Sequence, residues 1–595
     1  MADSIMEQAG IVNQQYKDGL AYKKQQGYLK NWAEYERFRA GDQWPKATNR
    51  TKDLPRPVFN IIDQIQGHKV SSVMNEHIKM VFTPMESAGQ QEQPQMDPVT
   101  QQPIPVQQDP EAEAADLFTR YAESTWERIK QDDLNEEALD SASNVGTCIW
   151  HYYWDTSAQG GKKLAYVGEM QGEIIDPVNF FPGNPQQRDV QKQPYVIITS
   201  RDEVTNVQNE AKNNGLSTEL VAMITPDSET EDQAYDMAKV ELTGSKKVTV
   251  LTKYWKENGQ VFFMKVAGNV VVKPKTPMNG MKLYPLVVMQ WKRRKKSIFG
   301  VGDTEGLIPN QKAINFLIAM QIKSAQDTGW PRMLLKKEFI KQNPSNTPGE
   351  ILVDSGPPGS WNAQYMQPGN IAPQTPALVE NIITYTKEVA GANESALGEQ
   401  TYANMPASAI MMLQKAAGVP IESIKRRFYQ AAEDIGRIWE QFWKVYYNTD
   451  RLITLKNDNE EPYSAVFNGS QHAETDMTLK IDIGPSSSYS ESLMMNSLDK
   501  LHDKGEIDTV MYLKYVPNSV APFKDRLIKE LQQRQEQQAM MQQQQMEQQA
   551  QMQQAQQQQM MEQQANSQAQ AQQQRQEDLA LQNKKLDIEA MKAAK

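Results

Sequence analysis

The chain of 595 residues is too long for one ordinary hydrophobic core and, at about 150 residues per domain, predicts three or four substructures. Its apolar fraction of 39% and charged fraction of 23% fit a soluble globular protein that also carries strongly polar segments. One cysteine and five histidines exclude a disulfide framework and a cysteine-based zinc cluster, and the net charge of −11 argues against tight, sequence-independent DNA wrapping.

No apolar run in the sequence approaches the roughly 18 residues that span a bilayer. The N-terminus lacks the basic start and the apolar stretch of a secretory signal. We therefore expect a protein of the cytoplasm that has no membrane partner, and the single cysteine suits such a reducing compartment.

The N-terminal part of the chain has helical patterns. Apolar residues recur every three or four positions between residues 16 and 38, up to a break at residues 41–45. A second helix is predicted from its N-cap, Asn60, to about residue 80. Its apolar side contains Ile61, Ile62, Ile65, Val70, Val73, Met74 and Ile78. Residues 86–110, rich in proline and glutamine, predict an exposed, mobile loop, after which helix resumes to about Asn144.

The middle of the chain predicts an antiparallel or mixed sheet and then a helical stalk. Aromatic and β-branched runs that are typical of strands occupy residues 147–155, 163–170, 194–200, 247–255, 260–273 and 284–292. A helical insertion is predicted near residues 202–239. Helices at 303–327 and 376–390 flank a small excursion of short strands at 330–375, so the excursion is expected at the end of a stalk.

The C-terminal part predicts a long helix and a polar tail. A helix at 409–417 is expected to end at Gly418-Val419-Pro420, before a longer helix over residues 421–446. Residues 523–595 contain no glycine or proline, and glutamine supplies 17 of the 30 residues at 541–570. This composition permits a continuous helix but offers no apolar stripe wide enough for it to fold alone. The tail is therefore either disordered or stacked with other copies in a helical tube.

Motif searches give no support for an enzyme. The sequence has no G-x-x-x-x-G-K-S/T phosphate loop, no G-x-S-x-G nucleophile elbow and no H-E-x-x-H zinc motif. The segment Phe299–Gly306 has the wrong glycine spacing for a dinucleotide fingerprint and predicts a helix-entry turn. We expect no cofactor and no metal site. Cys148 stands among aromatic residues and is expected to be a small buried hydrophobe.

Three clusters of basic residues stand out. They are Lys292–Lys296, the group Lys336, Lys337 and Lys341, and Lys425–Arg427. Each predicts either a solvated surface or a contact with phosphate or with an acidic partner. No nucleic-acid-binding module accompanies them.

Three blocks of sequence resemble the portal proteins of tailed bacteriophages, in particular the larger portals of short-tailed phages. The first block is FRAGDQW at residues 38–44, followed by RPVFNIIDQIQGHKVSSVMNE at residues 56–76. The second is FGVGDTEGLIPNQKAINFLIAMQ at residues 299–321, and the third is GEQTYANMPASAIMMLQKAAGVPIESIKRRF at residues 398–428. Together they span most of residues 30–450, and the order of stalk, excursion, return and long helix fits the same family.

The resemblance implies an α+β, mainly helical portal fold with wing, stem, clip and crown, and a long C-terminal helix that forms a barrel in the oligomer. The implied segments are the wing at 1–300, stem helices at 301–329 and 376–391, the clip at 330–375, the tunnel loop at 392–408, a helix and return to the wing at 409–490, the crown at 491–530 and the glutamine-rich barrel helix at 531–595. Within the wing, the mobile loop is 86–110 and the β-rich region is 145–300.

The resemblance also implies a ring, usually a dodecamer, at one capsid vertex of the virion, assembled in the cytoplasm of the bacterial host. Twelve helices about 10 Å apart enclose a lumen of roughly 28 Å, which admits a DNA duplex roughly 20 Å across. A net charge of −11 per chain then suits a passage that guides DNA without holding it.

The implied partners are the large terminase subunit that drives packaging, the major capsid and scaffolding proteins, head-completion or tail adaptor proteins, and double-stranded DNA in transit. Position in the chain then suggests two sets of site residues. The DNA-channel candidates are Glu394, Glu399, Gln400, Tyr402, Asn404 and Lys323. The candidates for docking the motor or an adaptor are Lys336, Lys337, Glu338 and Lys341.

Two other functions remain open from the residues. A capsid-interior scaffold or ejection protein would suit the glutamine-rich tail and the acidic charge, but it gives no reason for the order of helix, excursion and helix. A nucleic-acid enzyme would need motifs that the sequence lacks.

Overall fold

A computed structural model describes residues 2–49, 51–52, 54–75, 78–85, 110–227, 246–329, 333–335, 363–365, 374–392, 407–456, 462–483, 488–516, 521 and 524–592. The chain divides into two compact units, Met1–Ser487 and Ser488–Lys595. Within the described ranges, no helix combines the length and the apolar character needed to cross a membrane.

The helices of the first unit are α1 Ala2–Gln25, α2 Tyr28–Arg39, α3 Ile61–Met74, α4 Pro110–Arg128, α5 Gln131–Val145, α6 Val204–Asn213, α7 Thr218–Ala222, α8 Thr304–Gly329, α9 Thr375–Ala390 and α10 Ala407–Tyr446. Its strands are β1 Ile78–Pro84, β2 Thr147–Gly160, β3 Tyr166–Ile175, β4 Phe180–Pro182, β5 Tyr195–Glu203, β6 Lys247–Glu257, β7 Gln260–Ala267, β8 Val270–Pro277, β9 Leu286–Gln290, β10 Met333–Leu335, β11 Ala363–Tyr365, β12 Arg451–Lys456, β13 Pro462–Phe467 and β14 Met477–Ile483. The second unit contains α11 Ser488–Asp503, α12 Thr509–Tyr515 and α13 Lys524–Lys592. The predicted α+β, mainly helical class is confirmed.

The predicted strand region forms two antiparallel sheets. One sheet has the order β4-β5-β6-β7-β8 and the other has the order β3-β2-β9. The helical insertion between β5 and β6 is present as α6 and α7, and the continuation at residues 228–245 lies outside the described residues. So does most of the loop predicted at 86–110.

The prediction of one helix from Asn60 to about residue 80 is wrong at its C-terminal end. The Asn60 side chain does accept a hydrogen bond from the Asp63 N–H, as an N-cap should. The helix ends at Met74, however, and Ile78 begins β1, which pairs antiparallel with β14 so that Ile78 faces Ile483. Because β14 lies about 400 residues further along the chain, no local pattern signals this pairing.

The prediction that helix resumes up to about Asn144 is confirmed, and the chain turns once within this range, between α4 and α5. Lys130 has φ of 53°, in the left-handed region that ends a helix. The turn allows both helices to place an apolar side in the same core, where Phe118 of α4 and Leu139 of α5 are fully buried.

The predicted break at Gly418-Val419-Pro420 is absent, and α10 runs through it without interruption. Pro420 packs instead on Gly391, the residue that ends α9: a Cβ at Gly391 would lie 3.0 Å from the Cβ of Pro420. The turns that follow bury Ile421, Ile424 and Phe428 in the main core. This tertiary packing outweighs the hydrogen bond that proline removes from the helix.

The main core of the first unit is where the helices, the three-stranded sheet and the start of α8 meet. It includes Trp32, Phe38, Ile65, Leu139, Trp150, Trp291, Phe299, Ile314, Trp439 and Trp443. Cys148 is fully buried here, as expected, and burial raises the pKa of its thiol. The N-terminal turns of α8 are therefore fixed in this core, where Leu307, Ile308 and Ile314 are buried.

Candidate functional site

Helices α8 and α9 form an antiparallel pair that we call the stem. Strands β10 and β11, which follow α8 and precede α9, pair antiparallel with Met333 opposite Tyr365. Near the start of α8 and the end of α9, Asn310 Nδ2 donates a hydrogen bond to Thr386 Oγ1 over 3.0 Å. The predicted order of helix, strand-containing excursion and helix is confirmed.

The stem begins at a close approach between two backbones. A Cβ at Gly302 would lie 2.1 Å from the carbonyl oxygen of Asn144, and one at Gly300 would lie 2.3 Å from the carbonyl oxygen of Gly146. Only glycine fits at such distances. The Asp303 N–H then donates to the Ser143 carbonyl over 2.8 Å. The helix-entry turn predicted for this segment is confirmed, and it is locked to the end of α5.

Asp303, the residue before α8, is the centre of a buried ion-pair cluster. Lys69 Nζ of α3 lies 2.9 Å from Asp303 Oδ2, and Lys292 Nζ lies 2.6 Å from Oδ1. The Trp291 indole donates to Oδ2 over 3.0 Å. Of the two side chains in the central pair, only 4% of Lys69 and 2% of Asp303 are exposed.

The electrostatics of this cluster favour an ionised carboxylate at the start of α8. Burial raises the pKa of Asp303, but the charges of Lys69 and Lys292 outweigh it and hold the pKa below its ordinary value. Burial lowers the pKa of Lys69, and Asp303 offsets part of that effect. A carboxylate at this position also interacts favourably with the positive end of the α8 dipole.

Buried hydrogen bonds extend the attachment along α8. Gln66 Nε2 of α3 donates to Thr304 Oγ1 over 2.7 Å, and Thr304 donates to Asn144 Oδ1 over 2.6 Å. About three helical turns further on, Asn315 Nδ2 donates to Gln43 Oε1 over 2.6 Å. These contacts join the first and second blocks of sequence that carried the family resemblance.

Sequence reasoning missed this cluster, although a signal for it exists. Gln66 and Lys69 are polar residues on the otherwise apolar side of α3, at the spacing of Ile62, Ile65 and Val73. A buried polar residue in such a stripe needs a partner. The sequence does not name that partner, because Asp303 lies 234 residues from Lys69.

The stem has apolar side chains that the monomer leaves exposed. On α9, Leu378, Tyr385 and Val389 are 48%, 60% and 86% exposed. They are spaced seven and four residues apart, which places them on one side of the helix. On α8, Phe316 and Met320 are 50% and 43% exposed and also share a side.

Of the predicted site residues, Lys323 is the one within the described ranges. Its Nζ lies 2.7 Å from Asp327 Oδ1, one turn further along α8, and both side chains are about one-third exposed. The other channel candidates, Glu394, Glu399, Gln400, Tyr402 and Asn404, lie outside the described residues, as do the docking candidates Lys336, Lys337, Glu338 and Lys341. Their roles remain predictions.

Several described residues of the basic clusters form ion pairs or hydrogen bonds within the fold. Besides Lys292 with Asp303, Arg294 Nη2 lies 3.3 Å from Glu305 Oε1. Arg427 Nη2 donates to the Trp291 carbonyl over 2.6 Å. In the portion of the chain that can be described, no group of three or more histidine, cysteine, aspartate or glutamate side chains is placed to hold a metal ion.

Comparison with known families decides between the functions left open by the sequence. The model of the phage P22-like portal protein family matches residues 192–585, from just before β5 into the last turns of α13. The chain belongs to the P22-like phage portal protein family. The search of curated proteins returned no match.

Family membership confirms the resemblance and establishes the general role of the protein. The second and third sequence blocks fall within the matched range, whereas the first, at residues 38–76, precedes it. The protein is a phage portal protein, a component of the virion capsid that acts in genome packaging as the connector between head and tail. The family is structural rather than enzymatic and implies an oligomeric ring with capsid and terminase partners.

Proposed function

We propose that twelve copies of this portal protein form a closed ring at one capsid vertex, and that their stem helices enclose a channel through which double-stranded DNA is packaged and ejected. The observation that carries the proposal is the exposed apolar side of the stem. Leu378, Tyr385 and Val389 on α9 have no cover within the described chain, and large exposed apolar side chains in contiguous stripes mark interaction surfaces.

A second surface of different shape supports a head-to-tail contact between copies. Phe316 of α8 lines an open cavity of about 370 Å³ together with Trp44, Leu54 and Lys312. When two different surfaces of one chain meet between copies, the contacts generate a ring if the rotation closes. In the proposed ring, the exposed stripe of α9 from one copy packs near Phe316 and Met320 of the next.

The proposed domain assignment follows this geometry. Residues 1–300 form the wing, 301–329 and 376–391 the stem, 330–375 the clip, 392–408 the tunnel loop, 409–490 the helix and return to the wing, 491–530 the crown and 531–595 the barrel helix. The network at Asp303 supports the boundary between wing and stem, because it fixes the start of α8 to α3 and α5.

The proposed channel guides DNA with little attraction for phosphate. Lys323 is our described candidate for duplex contact, and its ion pair with Asp327 neutralises its charge locally. Tunnel-loop residues Glu394, Glu399, Gln400, Tyr402 and Asn404 complete the proposed lining, in which carboxylates repel phosphate. Strong phosphate contacts repeated around a ring would retard the duplex.

The proposed motor contact lies on the clip. The large terminase subunit docks there during packaging, and head-completion or tail adaptor proteins replace it afterwards. Lys336, Lys337, Glu338 and Lys341 are the residues proposed to face them, because they follow β10 at the far end of the stem from Asp303.

Replacing Tyr385 with aspartate is expected to prevent ring closure, because it places a charge in an apolar contact between copies. Native mass spectrometry of the purified chain should show a species of about twelve subunits. The variant should weaken association by at least roughly tenfold. Thr384→Asp is the matched control, since Thr384 is exposed on α9 away from the stripe, and it should leave the ring intact. A wild-type chain that stays monomeric at high concentration would refute the ring.

The C-terminal helix α13 supports a barrel in the oligomer. Near its end, Leu579 and Leu586 lie on one side and Leu581 and Ile588 on the opposite side, and all four are more than half exposed. One neighbouring helix can cover only one of these sides. A closed array, in which each helix contacts two neighbours, covers both.

Removing residues 530–595 is expected to leave the ring intact and to change the control of packaging or ejection. The reason is that the stem contacts proposed above belong to the first unit, Met1–Ser487. Electron microscopy of the truncated protein tests the first expectation, and the DNA content of particles assembled with it tests the second. Failure of the truncated chain to form rings would show that α13 is required for assembly.

A further inference from the structure

A cavity rich in arginine lies between β9, α10 and the loop that precedes β5. It has a volume of about 470 Å³. Its charged lining residues are Arg188, Asp189, Arg293, Arg427, Asp434 and Arg437. Buried apolar residues such as Leu286, Val287 and Ile438 form its floor. None of the contacts assigned so far to the portal function uses this cavity.

One arginine of the cavity, Arg427, is incompletely satisfied within the described chain. Arg427 donates through Nη2 to the Trp291 carbonyl, but its Nε is buried and has no hydrogen-bond partner there. Burial and the nearby charge of Arg293 lower the pKa of Arg427, so two guanidinium groups stand close together. Arg293 itself donates to the neutral Gln430 amide over 3.3 Å.

The two aspartates of the cavity do not neutralise this pair of arginines. Asp189 lies 3.4 Å from Lys192. The Asp434 carboxyl faces Arg437, Glu433 and Asp189, and burial raises its pKa to about 6 although the side chain reaches the surface. Arg437 in turn pairs with Glu433 on the same helix. The region around Arg188, Arg293 and Arg427 is left positively charged and suits a carboxylate ligand.

The shape of the cavity favours a peptide over a DNA duplex. A recess of about 470 Å³ admits side chains from one peptide segment, whereas a duplex roughly 20 Å across is too wide to enter it. Arginines at the rim and apolar residues on the floor suit a segment that alternates carboxylates with apolar side chains.

The chain contains one segment of that chemistry beside the five-stranded sheet. Residues 228–245 carry five carboxylates and one lysine, interspersed with Tyr235, Met237, Val240 and Leu242. The segment leaves the described structure after Asp227, which accepts hydrogen bonds from Arg201 Nη1 and the Thr249 N–H, and it returns at Lys246. Both ends therefore lie at the start of β6.

The cavity lies near the other end of β6, where Lys256 Nζ donates to the Gln191 carbonyl over 3.0 Å. Nine residues of strand separate Lys247 from Lys256, which corresponds to about 30 Å. A loop of 18 residues that must go out and return reaches at most about 30 Å when fully stretched. Within one chain, only the tip of this segment could therefore reach the cavity. Several carboxylates of the segment can bind together only in the cavity of another copy.

We propose that the arginine cavity of each portal subunit binds the acidic segment, residues 228–245, of a neighbouring subunit. The contact links the wings of adjacent copies, in addition to the seam between stems. This inference rests on the proposed ring, so the presence of the ring is measured first in the experiment that follows.

Cross-linking of engineered cysteines in the full-length protein tests this contact. The native Cys148 is fully buried and its thiol pKa is raised, so it does not compete for the reagent. Rings carrying Gln430→Cys in the cavity and Tyr235→Cys in the segment are treated with a short bismaleimide. Denaturing gels should show a ladder of covalently linked subunits. The control pair, Lys162→Cys with Tyr235→Cys, should give none, because Lys162 is exposed on the turn between β2 and β3.

A charge reversal checks that the arginines hold the segment. Arg293→Glu should slow cross-linking by roughly tenfold, the effect expected from losing a charge-assisted hydrogen bond. Arg426→Glu has the same charge change on α10 but does not line the cavity, and it should cross-link at the original rate. Intact rings without the ladder, or cross-links confined to one chain, would overturn this contact while leaving the portal function standing. Absence of rings would overturn both.

Discussion

Replacing Asp303 with asparagine is expected to lower the free energy of unfolding of the first unit by about 3–5 kcal/mol. Asparagine leaves Lys69 charged and buried without a counter-ion, since only 4% of the Lys69 side chain is exposed. It also removes the ion pair with Lys292 and replaces the carboxylate that accepts the hydrogen bond of the Trp291 indole with a neutral amide. Urea unfolding at neutral pH, followed by tryptophan fluorescence, measures the loss.

A paired replacement separates the loss of the ion pair from general damage. Lys69→Met combined with Asp303→Leu removes both charges, so it should cost less than Asp303→Leu alone, which leaves the buried ammonium unpaired. Equal stability of the single and double variants would show that the two residues do not stabilise one another.

The same residue gives stability a defined dependence on pH. Because the pKa of Asp303 in the folded protein lies below the ordinary value near 4, its contribution is present above that pH. The contribution is lost as the pH falls through the folded pKa. Between pH 7 and pH 3, the wild type should therefore lose more stability than Asp303→Asn. Parallel loss in both proteins would argue against this account.

Replacing Gly302 with alanine is expected to destabilise the same unit by about 3 kcal/mol. The new Cβ would lie 2.1 Å from the carbonyl oxygen and 2.6 Å from the carbonyl carbon of Asn144. Both neighbours are backbone atoms, so relief requires α5 and the entry to α8 to separate. That movement would also strain the hydrogen bond from the Asp303 N–H to the Ser143 carbonyl.

Gly306→Ala is the matched control within the same segment. A Cβ at Gly306 meets no atom within 4 Å, and the residue lies inside α8. Alanine there should be neutral or stabilise by up to about 1 kcal/mol, because it is the better helix former. Thermal unfolding of the two variants compares them directly, and similar melting temperatures would contradict the close packing at Gly302.

Both predictions concern the place where the stem joins the rest of the first unit, which is the proposed boundary with the wing. The buried ion pair of Lys69 with Asp303 and the close backbone approach hold the start of α8 against α3 and α5, while its later turns are progressively more exposed. In the proposed ring, a stem helix that is rigid at its base would carry load from the packaging motor into the proposed wing. We therefore expect Asp303→Asn to reduce DNA packaging even at temperatures where the ring stays assembled.

Local features of the sequence determined the elements of the stem. The apolar spacing within residues 303–327 and within residues 376–390 is a local signal, and it predicted both helices of the stem. The strands at 147–292 were predicted for the same reason, since β-branched and aromatic runs between turn residues are local signals. The family resemblance also lay in contiguous blocks, and the matched family confirms it.

Only the tertiary structure decided where these elements meet. The pairing of β1 with β14, the continuous α10 at Pro420 and the burial of Lys69 against Asp303 each depend on a partner distant in sequence. A local pattern shows that a polar residue lies on the apolar side of a helix. It does not show which distant residue forms an ion pair or a hydrogen bond with that residue. The energy of such contacts comes from desolvation and packing between segments that only the folded chain brings together.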